Sequence, residues 1–242
     1  VSDRRQHRGA HPEDEKLFAY KNVSLLREAN EELSWLLSRS YAVKSALKLV
    51  GDRHNLKERQ RLALSRAACS DHSLKLRKER CLTVSDVRNE SLIVDGFNLI
   101  ITVEAALSGG VLLYCRDGCI RDLSSVHGSY RSVQETEKAI RLIGEAFATL
   151  QLKSARWLLD SPISNSGRLA QEIRNQAKEK GWNWSVETIF NPDAEILTSN
   201  RIAVTSDSII LDGVKHWINF NEYLIQKFLS DVWMLDLQTN KV

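Results

Sequence analysis

Apolar positions along the chain change their period once, near residue 80. Before that point they recur every three to four residues. Leu17, Phe18, Leu25, Leu26, Ala29, Leu33, Leu36 and Leu37 mark one face of a single long helix. Glu13, Asp14 and Glu15 fall in its first turn, where carboxylates complement the helix dipole. A second helix is expected over 41–50, closed by Gly51. A third is expected to open near Asn55, with Glu58 completing a capping box. The polar stretch before about Pro12 is expected to be disordered.

From Leu82 onward, short apolar runs alternate with helical patterns. Strands are predicted at 91–95, 155–159, 184–190 and 202–205, and helices at 99–106, 133–150, 168–180 and 221–229. Gly109-Gly110 breaks the first of these helices, and Asp117-Gly118 suits the tight turn of a hairpin. A short helix opens at Pro192-Asp193, and Asp212-Gly213 reads as a turn. Strand-helix alternation is the pattern of a parallel sheet covered on both faces. The expected architecture is therefore α/β, an α/β/α sandwich over 89–242 preceded by an all-helical domain over 1–88.

Composition narrows the class further. With 43% hydrophobic and 27% charged residues and only three prolines, the chain reads as an ordinary globular protein. No apolar run reaches the roughly 18 residues of a membrane span, and the first residues are not signal-like, so a cytoplasmic location without membrane association is expected. Cys69, Cys81, Cys115 and Cys119 include no CxxC pair and are read as reduced thiols, with a single zinc site as the alternative.

Charge divides the chain where the periodicity does. Residues 1–80 carry 18 Lys and Arg against 11 Asp and Glu, and residues 81–242 carry 16 against 20. Nine basic residues lie between Asp52 and Arg80, the strongest candidate for contact with a nucleic-acid backbone. Solvated helix faces carry the same pattern, so the excess alone does not establish binding.

The acidic half holds the candidate chemistry. In open α/β sheets, ligands bind beyond the carboxyl ends of the strands. Three predicted strands lead into aspartate there, at Asp95, Asp160 and Asp207, and Asp193 follows a fourth at a helix start. Carboxylates gathered at one edge repel unless a cation neutralises them, which favours Mg2+ or Mn2+, hard ions with oxygen ligands. Each acid also has a structural reading as a turn or capping residue. Asp117 and Asp212 are assigned to turns, and Glu104 is a secondary candidate for the cleft.

At these residues the chain resembles the PIN-like nuclease superfamily, its NYN branch in particular. The matching segments are IVDGFNLI (93–100), Asp160 with its SPISNSG loop, NPDAEIL (191–197) and VTSDSIIL (204–211). The resemblance implies a PIN-like fold and a metal-dependent endoribonuclease. It carries metal ligation onto Asp95, Asp193 and Asp207, and onto Asp160 less directly, with Asn98 and Ser206 assisting by hydrogen bonds. It also implies RNA as partner, single-stranded or structured, tRNA included; a homodimer is left open. The hairpin and the segment RDLSSVHGSYR (121–131) depart from a minimal PIN core. The helical part, over 36–66, is similar to a helical domain of unknown function that accompanies such domains in prokaryotic proteins.

Arg121, His127 and Arg131 in that segment, and Ser161, Ser164 and Asn165 beside Asp160, are the candidate substrate contacts. Two rivals stand beside a nuclease. One is a non-catalytic RNA-binding or assembly module. The other is a phosphohydrolase with an aspartate nucleophile, disfavoured because VDGFN has no second acid two residues on.

Overall fold

A computed structural model describes residues 7–124 and 130–238. The helical part comprises α1 (Asp14–Leu17), α2 (Tyr20–Ser38), α3 (Val43–Arg53), α4 (Glu58–Ala67) and α5 (Asp71–Arg80). The single long first helix that the spacing predicts is divided at Phe18 and Ala19. Ala19 is extended, Phe18 is buried, and Asn22 Nδ2 donates to the carbonyls of Lys16 and Leu17 at 2.9 and 3.1 Å. The side chain thus serves the carbonyls that a broken helix leaves open. The third helix also starts later than expected. Asn55 sits at φ 51°, and it is Gln60 that accepts from the Lys57 backbone N–H.

The start of the chain is tied down rather than loose from His7 onward. Arg8 is buried, with its guanidinium paired to Glu104 and over the Tyr130 ring, 4.9 Å from the centroid. Residues 1–6, the rest of the stretch expected to be disordered, lie outside the described residues.

The main sheet has six parallel strands in the order β1 (Cys81–Leu82), β8 (Trp217–Ile218), β7 (Ile202–Val204), β2 (Ser91–Asp95), β5 (Ser154–Asp160), β6 (Trp184–Ile189). In β2, Leu92 and Val94 face one core while Ile93 faces another, so the strand is buried on both sides, as a central parallel strand requires. Helices α6 (Gly96–Leu107), α7 (Thr136–Thr149), α8 (Ser166–Lys180) and α11 (Phe220–Phe228) build the first core; α9 (Pro192–Thr198) and α10 (Ser208–Gly213) build the second. The α/β class and the helical N-terminal region agree with the sequence reading.

A second sheet, β4 (Ile120–Asp122), β3 (Leu112–Tyr114) and β9 (Met234–Asp236), joins the two parts. The hairpin turn is where the sequence puts it, with Gly118 at φ 82°. Leu113 and Leu235 pack with Leu33 and Leu64 of the helical part, while Leu112 and Ile120 face the core around α6. Strands β3 and β9 therefore supply part of the surface on which the helical part rests.

Candidate functional site

From β2 the chain moves outward through β5 and β6, then crosses back to β7 on the other flank of β2. The strand order reverses there, and the carboxyl end of β2 is the switch point where open α/β sheets take ligands. Asp95 ends β2 and Asp160 ends β5; Asp207 stands three residues past β7, and Asp193 in the first turn of α9, on the crossover. The glycine after Asp95 is needed for close packing. A Cβ on Gly96 would lie 2.9 Å from the Leu158 carbonyl of the neighbouring strand.

Two of the acids cap helices. Asp207 Oδ1 accepts from the N–H groups of Ile209 and Ile210 at 2.8 and 3.1 Å. Asp95 caps α6 only loosely, from Asn98 N–H at 3.5 Å, and its Oδ2 accepts from the Thr205 hydroxyl at 2.8 Å. Asn98 Oδ1 in turn accepts from both the backbone N–H and the hydroxyl of Ser206, at 2.9 Å each. The turn 205–207 is thereby fixed to the start of α6. Sequence reading found Asn98 and Ser206 but missed Thr205, whose signal was its place two residues before Asp207.

The other two acids have no side-chain hydrogen bond among the described residues, and Oδ1 of Asp160 is buried with no partner. Burial pushes the Asp95 carboxyl up to about 7, with the Asp207 and Asp193 charges adding to the rise. Asp193 is raised by burial and by Asp207 and Asp160, and Asp160 by burial. The four thus form one electrostatic neighbourhood, though a loose one. Among the described residues, the one group of three acid, histidine or cysteine ligands whose atoms all lie within 4.8 Å is elsewhere, at Glu28, Glu32 and His54.

Beside Asp207, a cavity of ≈ 760 Å3 runs between the sheet edge and the helical part, with Asn98, Ser206 and Ile209 on one wall and Val43, Ser65 and Arg66 on the other.

Several expected contacts have other employment. Arg121 is buried, with both terminal nitrogens on Asp117 and Nε donating to the Ser206 carbonyl, so it holds the turn rather than standing at the cleft edge. Asp117, assigned to a turn, is a buried acid between Arg121 and Arg77. Glu104 lies away from the cleft, fully buried among Arg8, Tyr130 and Thr136. Asn165 Nδ2 donates to the Tyr130 carbonyl at 2.7 Å, and the Ser164 carbonyl accepts from Tyr130 N–H. Ser161 is exposed beside Asp160, and Arg131 is exposed with its carbonyl bound by Arg8. His127 lies outside the described residues.

The cysteines are free thiols, and among the described residues none joins a group with metal-ligand spacing. No helix among the described residues is long and apolar enough to cross a membrane.

All four aspartates fall within residues 84–223, which match the family model described as "Domain of unknown function (DUF5616)". The chain belongs to the DUF5616 family. Ahead of the DUF5616 region, residues 25–80 match a second model, "Protein of unknown function (DUF434)", a span that covers most of α2 and all of α3 to α5. The chain is also similar to "Uncharacterized protein MJ0935" of Methanocaldococcus jannaschii, 31% identical over 208 residues, which cover 84% of this chain and 99% of that protein. No solved structure matches the chain.

Proposed function

We infer that this chain is a metal-dependent endoribonuclease of PIN-like type, with Asp95, Asp160, Asp193 and Asp207 as the holders of Mg2+ or Mn2+. The observation that carries the reading is a missing counterion. Buried Asp14, Glu104 and Asp117 are each paired with arginine, to Arg59, Arg8, and Arg77 with Arg121. The four acids at the switch point have no basic partner among the described residues, although burial raises three of them. Uncompensated carboxylates at one edge are costly, and a divalent cation removes that cost.

The donor set fits such an ion. It is all oxygen, as Mg2+ and Mn2+ prefer, and the buried Oδ1 of Asp160 lacks any other partner. When bound, the metal supplies charge neutralisation and an activated water for in-line attack on a phosphodiester. The protein's own groups position the reactants. Thr205 orients the Asp95 carboxylate, and Asn98 locks the turn that carries Asp207 while its amide nitrogen remains to donate to a phosphate oxygen. The cavity beside Asp207 gives a strand room to leave the edge along the helical part.

The test is incubation of the full chain with single-stranded and structured RNA in Mg2+, Mn2+ or EDTA, beside Asp95→Asn and Asp207→Asn. Metal-dependent cleavage lost in both variants is the expected result. Cleavage that ignores EDTA or survives both substitutions overturns the reading. Tight RNA binding without cleavage in any metal selects the non-catalytic module instead.

A further inference from the structure

The geometry points to a second metal site, in the helical part, formed by Glu28, Glu32 and His54 and suited to Zn2+ or a similar divalent transition ion. Glu28 and Glu32 are four residues apart on α2, so their side chains rise from one face of the helix. His54 caps the end of α3 and turns its ring back toward them, with Nε2 2.9 Å from Glu32 Oε2. One ligand atom from each of the three lies within 4.8 Å of the other two.

Three features separate this group from an ordinary pair of surface acids. The first is the imidazole, a strong ligand for transition ions and a poor one for Mg2+ or Ca2+; its side chain is only 7% exposed. The second is Glu28, which has no hydrogen bond or ion pair among the described residues although Glu32 is within ligand distance. Arg53 reaches only Glu32, at 3.3 Å, and His54 likewise pairs with Glu32, so the Glu28 carboxylate is left with no cation of its own among the described residues. The third is access. A cavity of ≈ 490 Å3 is lined by Glu28 and Glu32, with Glu31, Trp35, Leu49 and Arg53 as its other walls, and gives room for waters on the carboxylate side of the group. Two carboxylates and one imidazole make a three-residue set, the number that leaves a zinc ion a further position for water. Such an ion would join α2 to the end of α3 in place of the His54–Glu32 hydrogen bond.

The site is independent of the acids at the sheet edge, and the experiment separates them. Chelator-treated, tag-free full chain is titrated with ZnCl2, MnCl2 and MgCl2 by calorimetry, beside His54→Ala, Glu28→Gln and the double variant Asp95→Asn/Asp207→Asn. The expected result is one Zn2+ per chain, weakened by about tenfold or more in Glu28→Gln and lost in His54→Ala. It is expected to be unchanged in the double variant and not displaced by Mg2+. Glu28 is exposed, so its substitution leaves the fold intact and circular dichroism of both variants checks this. Absence of Zn2+ binding, or binding that survives Glu28→Gln and His54→Ala alike, overturns the proposal.

Discussion

Arg121 Nε donates to the carbonyl of Ser206 at 2.7 Å, and the same guanidinium holds Asp117 with both terminal nitrogens. Arg77, from α5, closes the network onto Asp117, Asp212 and the Ser208 carbonyl. The turn that presents Asp207 is thus anchored on both sides by buried arginines, one from the hairpin and one from the helical part.

Removing the acid at the centre of this network should therefore be severe. Asp117→Ala leaves two buried guanidinium groups short of a partner, and a loss of roughly 3–5 kcal/mol is expected in urea unfolding. Burial opposes ionisation of Asp117, but Arg121 and Arg77 outweigh it and hold the carboxyl well below the usual range. A depressed folded pKa means that this stability is present above about pH 4 and is lost as pH falls further. The wild-type advantage over Asp117→Ala should shrink on acidification.

Asp95 has the opposite sign. Its carboxyl is raised to about 7, so the folded chain binds a proton more tightly than the unfolded chain between about pH 4 and pH 7. Without metal, stability should fall as pH rises through that window. Asp95→Asn should stabilise the fold at pH 8, by on the order of 2 kcal/mol once the partial exposure of the edge is allowed for, and change stability little at pH 4, with the melting temperature following. Saturating Mg2+ should reverse the order of the two proteins at pH 8, which thermal melts across pH and metal would read directly.

How much of this was legible beforehand follows from the range of the interactions. Asp95 and Asp160 announce themselves because a strand-terminal acid is a local feature, and Asp207 because it follows closely on an apolar run; the order β7-β2-β5 then makes their strands neighbours. Arg121 did not, because a basic residue near a site reads alike whether it faces a phosphate or a buried acid. The same holds for Arg8 and Glu104, 96 residues apart, whose pairing depends on two surfaces meeting in space. Strand β9 was missed for a related reason. Met234–Asp236 is too short to show a period, and only its parallel pairing with β3 makes it a strand.

At Asp207, capping and metal binding can be separated. Asparagine caps a helix about as well as aspartate, so Asp207→Asn should keep the hydrogen bonds to Ile209 and Ile210 and alter stability by only a few tenths of a kcal/mol. Asp207→Ala loses the cap and should cost about 1 kcal/mol. If the carboxylate holds a metal, both substitutions should reduce RNA cleavage by a similar large factor, about a hundredfold or more. A ratio of activities that followed stability instead would assign Asp207 to the cap alone.

The basic stretch of the helical part makes a quantitative prediction of a different kind. Of its nine cations, Arg53, Arg59, Arg61, Arg66, Arg77 and Arg80 bind groups of the protein itself. Lys57, Lys75 and Lys78 are exposed, and Lys75 has only a distant neighbour in Glu79, at 3.9 Å. A charge count alone suggests contact with many phosphates; the structure leaves about three cations for them. For single-stranded RNA, the slope of log affinity against log salt should then be near −2, rather than the roughly −6 expected if all nine took part. Filter binding between 50 and 300 mM salt would distinguish the two, and substitution of Lys75 and Lys78 together should remove most of the slope while leaving the melting temperature unchanged. The arginines belong to the fold, so their substitution should show in stability before it shows in binding.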